Sequence, residues 1–273
     1  MEMRNTFLPI PAEVTDIVVE TPTIRTFVLR PAEPVRFRAG QFVQLSLPGV
    51  GEAPFTPSSS PAESERLEIT ILKAGYDTEA LHALEPGGTL RVRGPVGKGY
   101  PTARLEGSEV LVIGGGVGLA PLRSLLFHLF QDLSLYQRVS IRYGARSPAE
   151  LCYHAAYEGW DAKEGVDFTP TIDRPAEGWQ GHVGLVTTLL EDLDMDLSNT
   201  YALSCGPEVM LKFVTWKLLD LGFDPKRIYL SMNRNMSCGM GICGRCNIGS
   251  HYLCKDGPDM CYADIQDIPY ALG

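Results

Sequence analysis

Over the first hundred residues the apolar positions come in short runs broken by turn-forming residues. Val14 to Val19, Ile24 to Arg30, Phe42 to Leu47, Leu67 to Lys73 and Leu90 to Val92 are rich in β-branched and apolar side chains and are bounded by Pro, Gly or acidic residues, the mark of short strands. Five or six antiparallel strands without a long helix predict a small closed barrel. One short helix is expected at Thr78 to Leu84, capped by Asp77 or Thr78 and stopped by Glu85-Pro86-Gly87-Gly88.

After Glu106-Gly107 the period changes. Glu109-Val110-Leu111-Val112-Ile113 is a continuous apolar run of the kind buried on both faces of a parallel sheet, followed by Gly114-Gly115-Gly116-Val117-Gly118. A helix then carries Leu122, Leu125, Leu126 and Leu129 on one face. Strand-like runs at Val139 to Tyr143 and Thr200 to Ser204 alternate with helical runs at Val183 to Leu193 and Glu208 to Leu219, which is the rhythm of βαβ units. From about Asn233 the chain is rich in Gly and Cys and has no apolar period, so a segment this short is expected to need an inorganic staple. The fold class expected is α/β plus β: an antiparallel barrel over residues 1–105, a doubly wound parallel α/β domain over 106–232, and a small C-terminal segment over 233–273.

Composition narrows the function. With 44% hydrophobic and 21% charged residues in 273, the chain is an ordinary globular protein. Its 28 Gly and 20 Pro are scattered between apolar runs and so mark turns. A net charge of -9 argues against binding nucleic acid, which needs a basic face. No apolar run approaches the roughly 18 residues of a membrane span, and Met1-Glu2-Met3-Arg4-Asn5-Thr6 lacks the apolar core of a signal peptide. The cytoplasm is therefore the expected location. Five of the seven cysteines fall from Cys238 onward, whereas a disulfide framework would spread them, so metal is the expected use.

Cys238, Cys243 and Cys246 have the C-x4-C-x2-C spacing with which plant-type ferredoxins wrap thiolates around a pair of irons, and Cys254 is the obvious fourth ligand. The glycines between them, Gly239, Gly241 and Gly244, suit a loop that must turn tightly and aim N–H groups at sulfur. A four-cysteine zinc site is the alternative, although zinc ribbons favour two separated C-x2-C knuckles. Cys261 fits neither pattern and, with Cys152, is read as an ordinary packed thiol. The five histidines show no metal-ligand spacing, and no Ser/His/Asp set suggests hydrolysis.

The Gly114 to Gly118 turn, between a buried strand and a helix, either cradles a dinucleotide pyrophosphate or packs helix closely on strand. It departs from the full G-x-G-x-x-G fingerprint because Leu119 takes the last glycine's place, and no acidic residue follows the next strand at the usual spacing. Ser204-Cys205-Gly206-Pro207-Glu208-Val209-Met210 again joins a strand end to a helix start, at the edge where open α/β sheets bind ligands. Cys205 is either part of that site or a small buried residue.

Together these residues resemble the ferredoxin-NADP reductase superfamily across essentially the whole chain. The likeness rests on Gly94-Pro95-Val96-Gly97, on Gly114 through Pro121, on Tyr143-Gly144-Ala145-Arg146 and on Cys205-Gly206-Pro207 with Met210. The four-cysteine tail looks like those of electron-transfer subunits of dihydroorotate dehydrogenase, anaerobic sulfite reductase and cytoplasmic NiFe hydrogenases, and most of all like the hydrogenase gamma (diaphorase) subunits.

That resemblance implies FAD on the barrel, NADP or NAD on the α/β domain and a 2Fe–2S cluster on Cys238, Cys243, Cys246 and Cys254. It implies a role for Pro54, Phe55 and Thr56, the counterpart of an R-x-Y-S flavin motif, with the Phe55 ring stacked on the isoalloxazine and the Thr56 hydroxyl near N5. Ala53 stands where that motif has its phosphate-binding Arg and cannot pair with phosphate. Gly75 and Thr78 are then left to meet the pyrophosphate. Cys205, Gly206, Pro207 and Met210 fall to the nicotinamide side, Thr56 and Cys205 flank the reacting atoms, and Arg146, beside Gly144, reaches the adenosine ribose, where it could meet a 2′-phosphate. Nicotinamide gives electrons in pairs and a cluster takes them singly, so flavin is the converter. A cluster at the chain's end implies partner redox subunits, iron–sulfur and NiFe hydrogenase subunits first. A non-catalytic zinc-knuckle interaction module with a degenerate barrel is the rival from another class.

Overall fold

The computed structural model describes residues 5–272. Met1 to Arg4, the start of the stretch read against a signal peptide, and Gly273 lie outside the described residues.

The first half is a six-stranded antiparallel sheet made of β1 (Ile10–Thr21), β2 (Ile24–Pro31), β3 (Phe42–Leu47), β4 (Gly51–Phe55), β5 (Leu67–Leu72) and β6 (Thr89–Val96), in the order β4-β3-β6-β1-β2-β5. It curls until the edge strands β4 and β5 touch. Alternate residues such as Phe27, Leu29, Val43, Leu45, Leu67, Ile69, Ile71 and Val92 point inward and form one core. Glu68 and Thr70, which alternation would expose, are also buried, because the second half covers that face. Arg123 pairs with Glu68, and the Tyr153 hydroxyl bonds Thr70 Oγ1 at 2.5 Å.

Two local expectations change. β4, carrying Ala53-Pro54-Phe55, is a strand that its Pro and Gly concealed. Helix α1 (Tyr76–His82) starts earlier than expected: Gly75, not Asp77 or Thr78, is its N-cap, and Thr78 is the third helical residue. The Thr78 hydroxyl reaches back to accept the N–H groups of Ala74 (2.8 Å) and Gly75 (3.0 Å), which ties down the turn from inside the helix. A short α2 (Thr102–Leu105) leads out of the barrel.

The second half is built on β7 (Glu109–Gly115), β8 (Arg138–Ala145), β9 (Val166–Ile172), β10 (His182–Val183), β11 (Thr200–Cys205) and β12 (Ile228–Ser231), all parallel to their neighbours. Helix α3 (Leu119–Leu129) packs Leu122, Leu125, Leu126 and Leu129 against Val110 and Val112, as its apolar face predicts. A short α4 (Tyr157–Asp161) covers the same side. Helix α5 (Glu208–Asp220) packs Leu211, Val214 and Leu218 against Leu111 and Ile113 on the other. The helix expected over Val183 to Leu193 does not form: its start is β10 and only Val186–Leu190 makes a 3-10 turn. Gly184, at φ +152, bonds the Ile172 carbonyl at 2.9 Å and breaks the segment, and Val183, Val186, Thr187 and Thr188 are stiff β-branched residues.

The C-terminal segment is not a separate body. After the small β13 (Asn247–Ile248) and β14 (His251–Tyr252) hairpin and α6 (Leu253–Asp256), β15 (Asp259–Cys261) joins the edge of the second sheet antiparallel to β12, pairing Ser231 with Asp259, and α7 (Tyr262–Ile265) follows. Ile248, Leu253, Met260 and Ile265 share one core with Ile113, Leu218 and Leu230. The staple expected from sequence is thus supplemented by a borrowed hydrophobic core. Among the described residues no helix is long and apolar enough to cross a membrane.

Candidate functional site

A cleft of about 1310 Å³ runs between the barrel and the carboxyl ends of the parallel strands. It is lined on the barrel side by Pro54, Phe55 and Thr56 and on the other by Gly115, Gly116, Gly118, Pro121, Gly144, Arg146, Cys205, Gly206, Pro207 and Met210. The ends of β4, β7, β8 and β11 therefore bring residues from four distant stretches of chain to one place. Gly114 alone of this set stays behind the cleft, against Tyr143 and Leu119.

The two glycine turns interlock. A Cβ on Gly118 would lie 2.2 Å from the Cys205 carbonyl oxygen, and one on Gly115 would lie 2.2 Å from Met210 Sδ. Gly118 is glycine so that the turns can touch backbone to backbone, whereas at Gly115 the obstacle is the movable end of the Met210 side chain. Gly116 differs: its φ is +54 and a Cβ there would meet nothing within 4 Å, so it faces open cleft where a ligand can approach the backbone. The close-packing alternative left by the sequence holds for Gly118, whereas Gly116 leaves its backbone open to the cleft.

Behind Cys205 lies a residue that no sequence signal singled out. Asp259, on β15, accepts from Ser231 Oγ at 2.5 Å, and Ser231 shares a 2.9 Å bond with the Tyr100 hydroxyl. The other carboxylate oxygen of Asp259 is buried without a partner, while the residue lines the cleft. Burial pushes its pKa up to about 8 against the lowering effect of Ser231 and Tyr100. Burial, and then the nearby Asp259 charge, push the Cys205 thiol up to about 12. Near neutral pH the cleft floor is therefore an uncharged thiol beside a largely protonated acid.

At the cleft's outer end Arg146 makes a paired contact with Glu150, Nε to Oε2 and Nη2 to Oε1, each 2.7 Å. Glu150 and Asp173 both line the cleft here. The sequence, read for an acid at fingerprint spacing, had no means of showing them. The Arg146 side of the ion pair is largely solvent-exposed, and the pair is therefore weak enough for a ligand anion to compete with it.

Gly75 and Thr78 line a second, more polar cavity of about 470 Å³ that also shares Pro54, Phe55, Asn233 and Met236 with the cleft. An apolar cleft walled by the half-buried Phe55 ring, opening into a polar cavity, suits a flat ring system tethered to a pyrophosphate. The residues thus fit a flavin dinucleotide.

The cysteine loop brings its thiols together in pairs, Cys238 with Cys243 and Cys246 with Cys254, as the two irons of a cluster require, and among the described residues no three gather as around a single metal ion. Cys246 Sγ lies 3.3 Å from Cys254 Sγ. Backbone N–H groups of Met240, Ile242 and Cys243 point at Cys238 Sγ at 3.3 to 3.4 Å, and that of Gly241 at Cys254 Sγ at 3.0 Å. Gly239, Gly241 and Gly244 all have φ between +64 and +75, which makes this donor array possible. Burial resists ionisation of Cys238, but the three N–H donors outweigh it and bring the thiol down to about 6. Cys261 faces away, toward the Pro225 and Lys226 carbonyls, and Cys152 is fully buried.

This fold and these sites define a flavin- and NAD-binding oxidoreductase of the ferredoxin-NADP reductase superfamily with an added iron–sulfur segment. Residues 11–100 match the oxidoreductase FAD-binding domain, residues 112–215 the oxidoreductase NAD-binding domain, and residues 233–266 the iron–sulfur cluster binding domain of dihydroorotate dehydrogenase B. The chain is 37% identical to sulfhydrogenase 1 subunit gamma of Pyrococcus furiosus over 88% of its length and 85% of that protein. It is 33% identical to a probable dihydroorotate dehydrogenase B electron transfer subunit of Thermococcus kodakarensis, over 83% and 85% of the two chains. It therefore belongs to the family of these electron-transfer subunits. Among solved structures, an NADH-dependent reduced ferredoxin-NADP oxidoreductase superposes with a TM-score of 0.75 at 24% identity, covering 94% of this chain and 91% of that one. A ferredoxin NADP+ reductase from Neisseria gonorrhoeae gives 0.71 at 21%, covering 81% and 96%.

Proposed function

We propose that the chain relays electrons between NAD(P)H and a partner redox subunit through FAD and a 2Fe–2S cluster, and that the partner is a cytoplasmic NiFe hydrogenase. The observation that carries the reading is contiguity. Phe55 walls both the apolar cleft and the polar second cavity, and Met236, two residues before the first cluster cysteine, lines both as well. Bound flavin would supply the exchange between hydride transfer from nicotinamide and single electrons for the cluster.

The chain's own residues do the positioning. Phe55 and Thr56 hold the ring from the barrel, and Cys205 and Gly206 close on it from the α/β domain, excluding water. Asp259 and Cys205, both uncharged near neutral pH, offer hydrogen bonds to a neutral carboxamide without introducing charge. Because Glu150 holds Arg146, both nucleotides are accepted, and a 2′-phosphate must displace the carboxylate. Met240 and Ile242 expose apolar side chains on the cysteine loop, Ile242 to 78%, where a partner's redox centre would approach. The hydrogenase assignment follows the sulfhydrogenase gamma relatives, at 36 and 37% identity against 30 to 35% for the dihydroorotate dehydrogenase subunits.

An anaerobic visible spectrum of the purified chain, before and after NADPH and then NADH, with iron and zinc assayed on the same sample, tests the relay. Flavin bands and a broad iron–sulfur envelope that bleach with nucleotide support it. A colourless, zinc-containing protein overturns it in favour of an interaction module. Hydrogen-dependent reduction of NADP+ by the isolated complex tests the partner, and dihydroorotate-dependent reduction would reassign it.

A further inference from the structure

Among the described residues that line the second cavity, those from the barrel include no cation, and Ala53 stands where the resembled motif places Arg. That cavity nevertheless receives two arginines, both from the C-terminal segment, Arg234 and Arg245. They are not equivalent. Arg234 is engaged: it bonds Glu208 Oε1 at 3.2 Å and the carbonyls of Tyr270 and Ala271 at 3.5 and 3.2 Å, fastening the chain's end to α5. Arg245 is exposed and has no carboxylate partner among the described residues.

The acids at the cavity wall sharpen the need for a cation. Glu52 is taken up by Arg93, while Asp77, against Gly51, leaves a negative charge beside any bound anion. A pyrophosphate brought there by a ring seated against Phe55 carries further negative charge and has one available guanidinium to meet. We propose that Arg245 is that group: it binds the FAD pyrophosphate in place of the missing barrel arginine, and so the cluster loop is part of the flavin site. Arg245 sits between two cluster cysteines, Cys243 and Cys246, the second of them buried. Its reach into the cavity is set by the loop that the cluster braces, so flavin retention and cluster assembly are linked. This inference rests on the chain binding FAD.

The test measures FAD and riboflavin affinities side by side for the full chain carrying its cluster, by flavin fluorescence and at two salt concentrations. Riboflavin has the ring but neither the pyrophosphate nor the adenosine, so the ratio of the two affinities reports the ADP half of FAD, and its salt dependence reports the charged pyrophosphate contact within that half. Arg245→Gln is expected to weaken FAD about ten- to a hundredfold, as loss of a charge-assisted contact does. It should leave riboflavin unchanged and reduce the salt dependence of FAD binding, and Arg245→Lys should restore part of the loss. An unchanged FAD-to-riboflavin ratio overturns the proposal, even in a preparation that has also lost iron. Stripping the cluster from the parent protein should lower the same ratio, and a constant ratio there overturns the link between cluster and flavin. A parent chain that binds neither flavin would instead refute the underlying flavin reading.

Discussion

Replacing Gly118 with Ala separates the two meanings of the glycine-rich turn. Gly118 has helical backbone angles, φ -61 and ψ -15, so Ala is intrinsically welcome there and any cost is steric. The new methyl would sit 2.2 Å from the Cys205 carbonyl oxygen, 2.5 Å from its carbon and 2.7 Å from Gly206 Cα. Ordinary contact begins near 3.4 Å and all three atoms are backbone, so the turns must part by more than an ångström. Overpacking of this kind costs about 1–3 kcal/mol, and in a protein of this size each kcal/mol lowers the melting temperature by roughly 2–4 °C. The displaced Cys205-Gly206 wall should also weaken NAD(P)H binding. Gly116→Ala is the counterpart: the φ of +54 costs roughly 1–2 kcal/mol, but nothing is struck, and the methyl enters open cleft. Differential scanning calorimetry and nucleotide titration of both variants make the comparison. A Gly118→Ala protein that melts with the parent and binds nucleotide as well would refute the close-packing assignment.

Three further outcomes are expected. Asp259 binds its proton more tightly folded than unfolded, so its contribution to stability is complete below about pH 4 and is lost as pH rises toward 8. Asp259→Asn should therefore gain in melting temperature relative to the parent as pH rises through that window, and a constant difference between the two would show that the carboxyl does not titrate so. Glu150→Gln frees Arg146 and removes a competing charge, and should lower KM for NADPH more than for NADH; equal changes would place Arg146 away from the 2′-position. Cys238→Ser should abolish the iron–sulfur absorbance while the chain keeps its folded circular dichroism, because Leu253, Met260 and Ile265 still share the α/β core. Global unfolding would show that the cluster, not the borrowed core, holds the segment.

Most of the architecture could be read from the chain in advance because it is written in local patterns. The strand runs at Ile24 and Leu67, the apolar face of α3 and the continuous run of β7 each depend on near neighbours, and burial follows from their period. The C-x4-C-x2-C loop is similar: its spacing and its glycines dictate a tight turn with N–H groups aimed inward, whatever surrounds it. Local signals failed where they conflicted, as at Val183 to Leu193, where an apolar period met Gly184 and β-branched residues.

What only the tertiary structure decided are the contacts between residues far apart in sequence. Asp259 has no motif; its acidity is set first by the desolvation that arises when β15 closes on β12 and then, in the opposite direction, by Ser231 and Tyr100. Gly118 is indistinguishable from Gly116 in the sequence, and its meaning comes from the Cys205 backbone packed upon it. Arg245 reads as one more charge in a surface loop until folding carries that loop to Ala53. Periodicity encodes which face of an element is buried, but desolvation and steric exclusion depend on what is brought against that face, and that is settled only when the elements assemble.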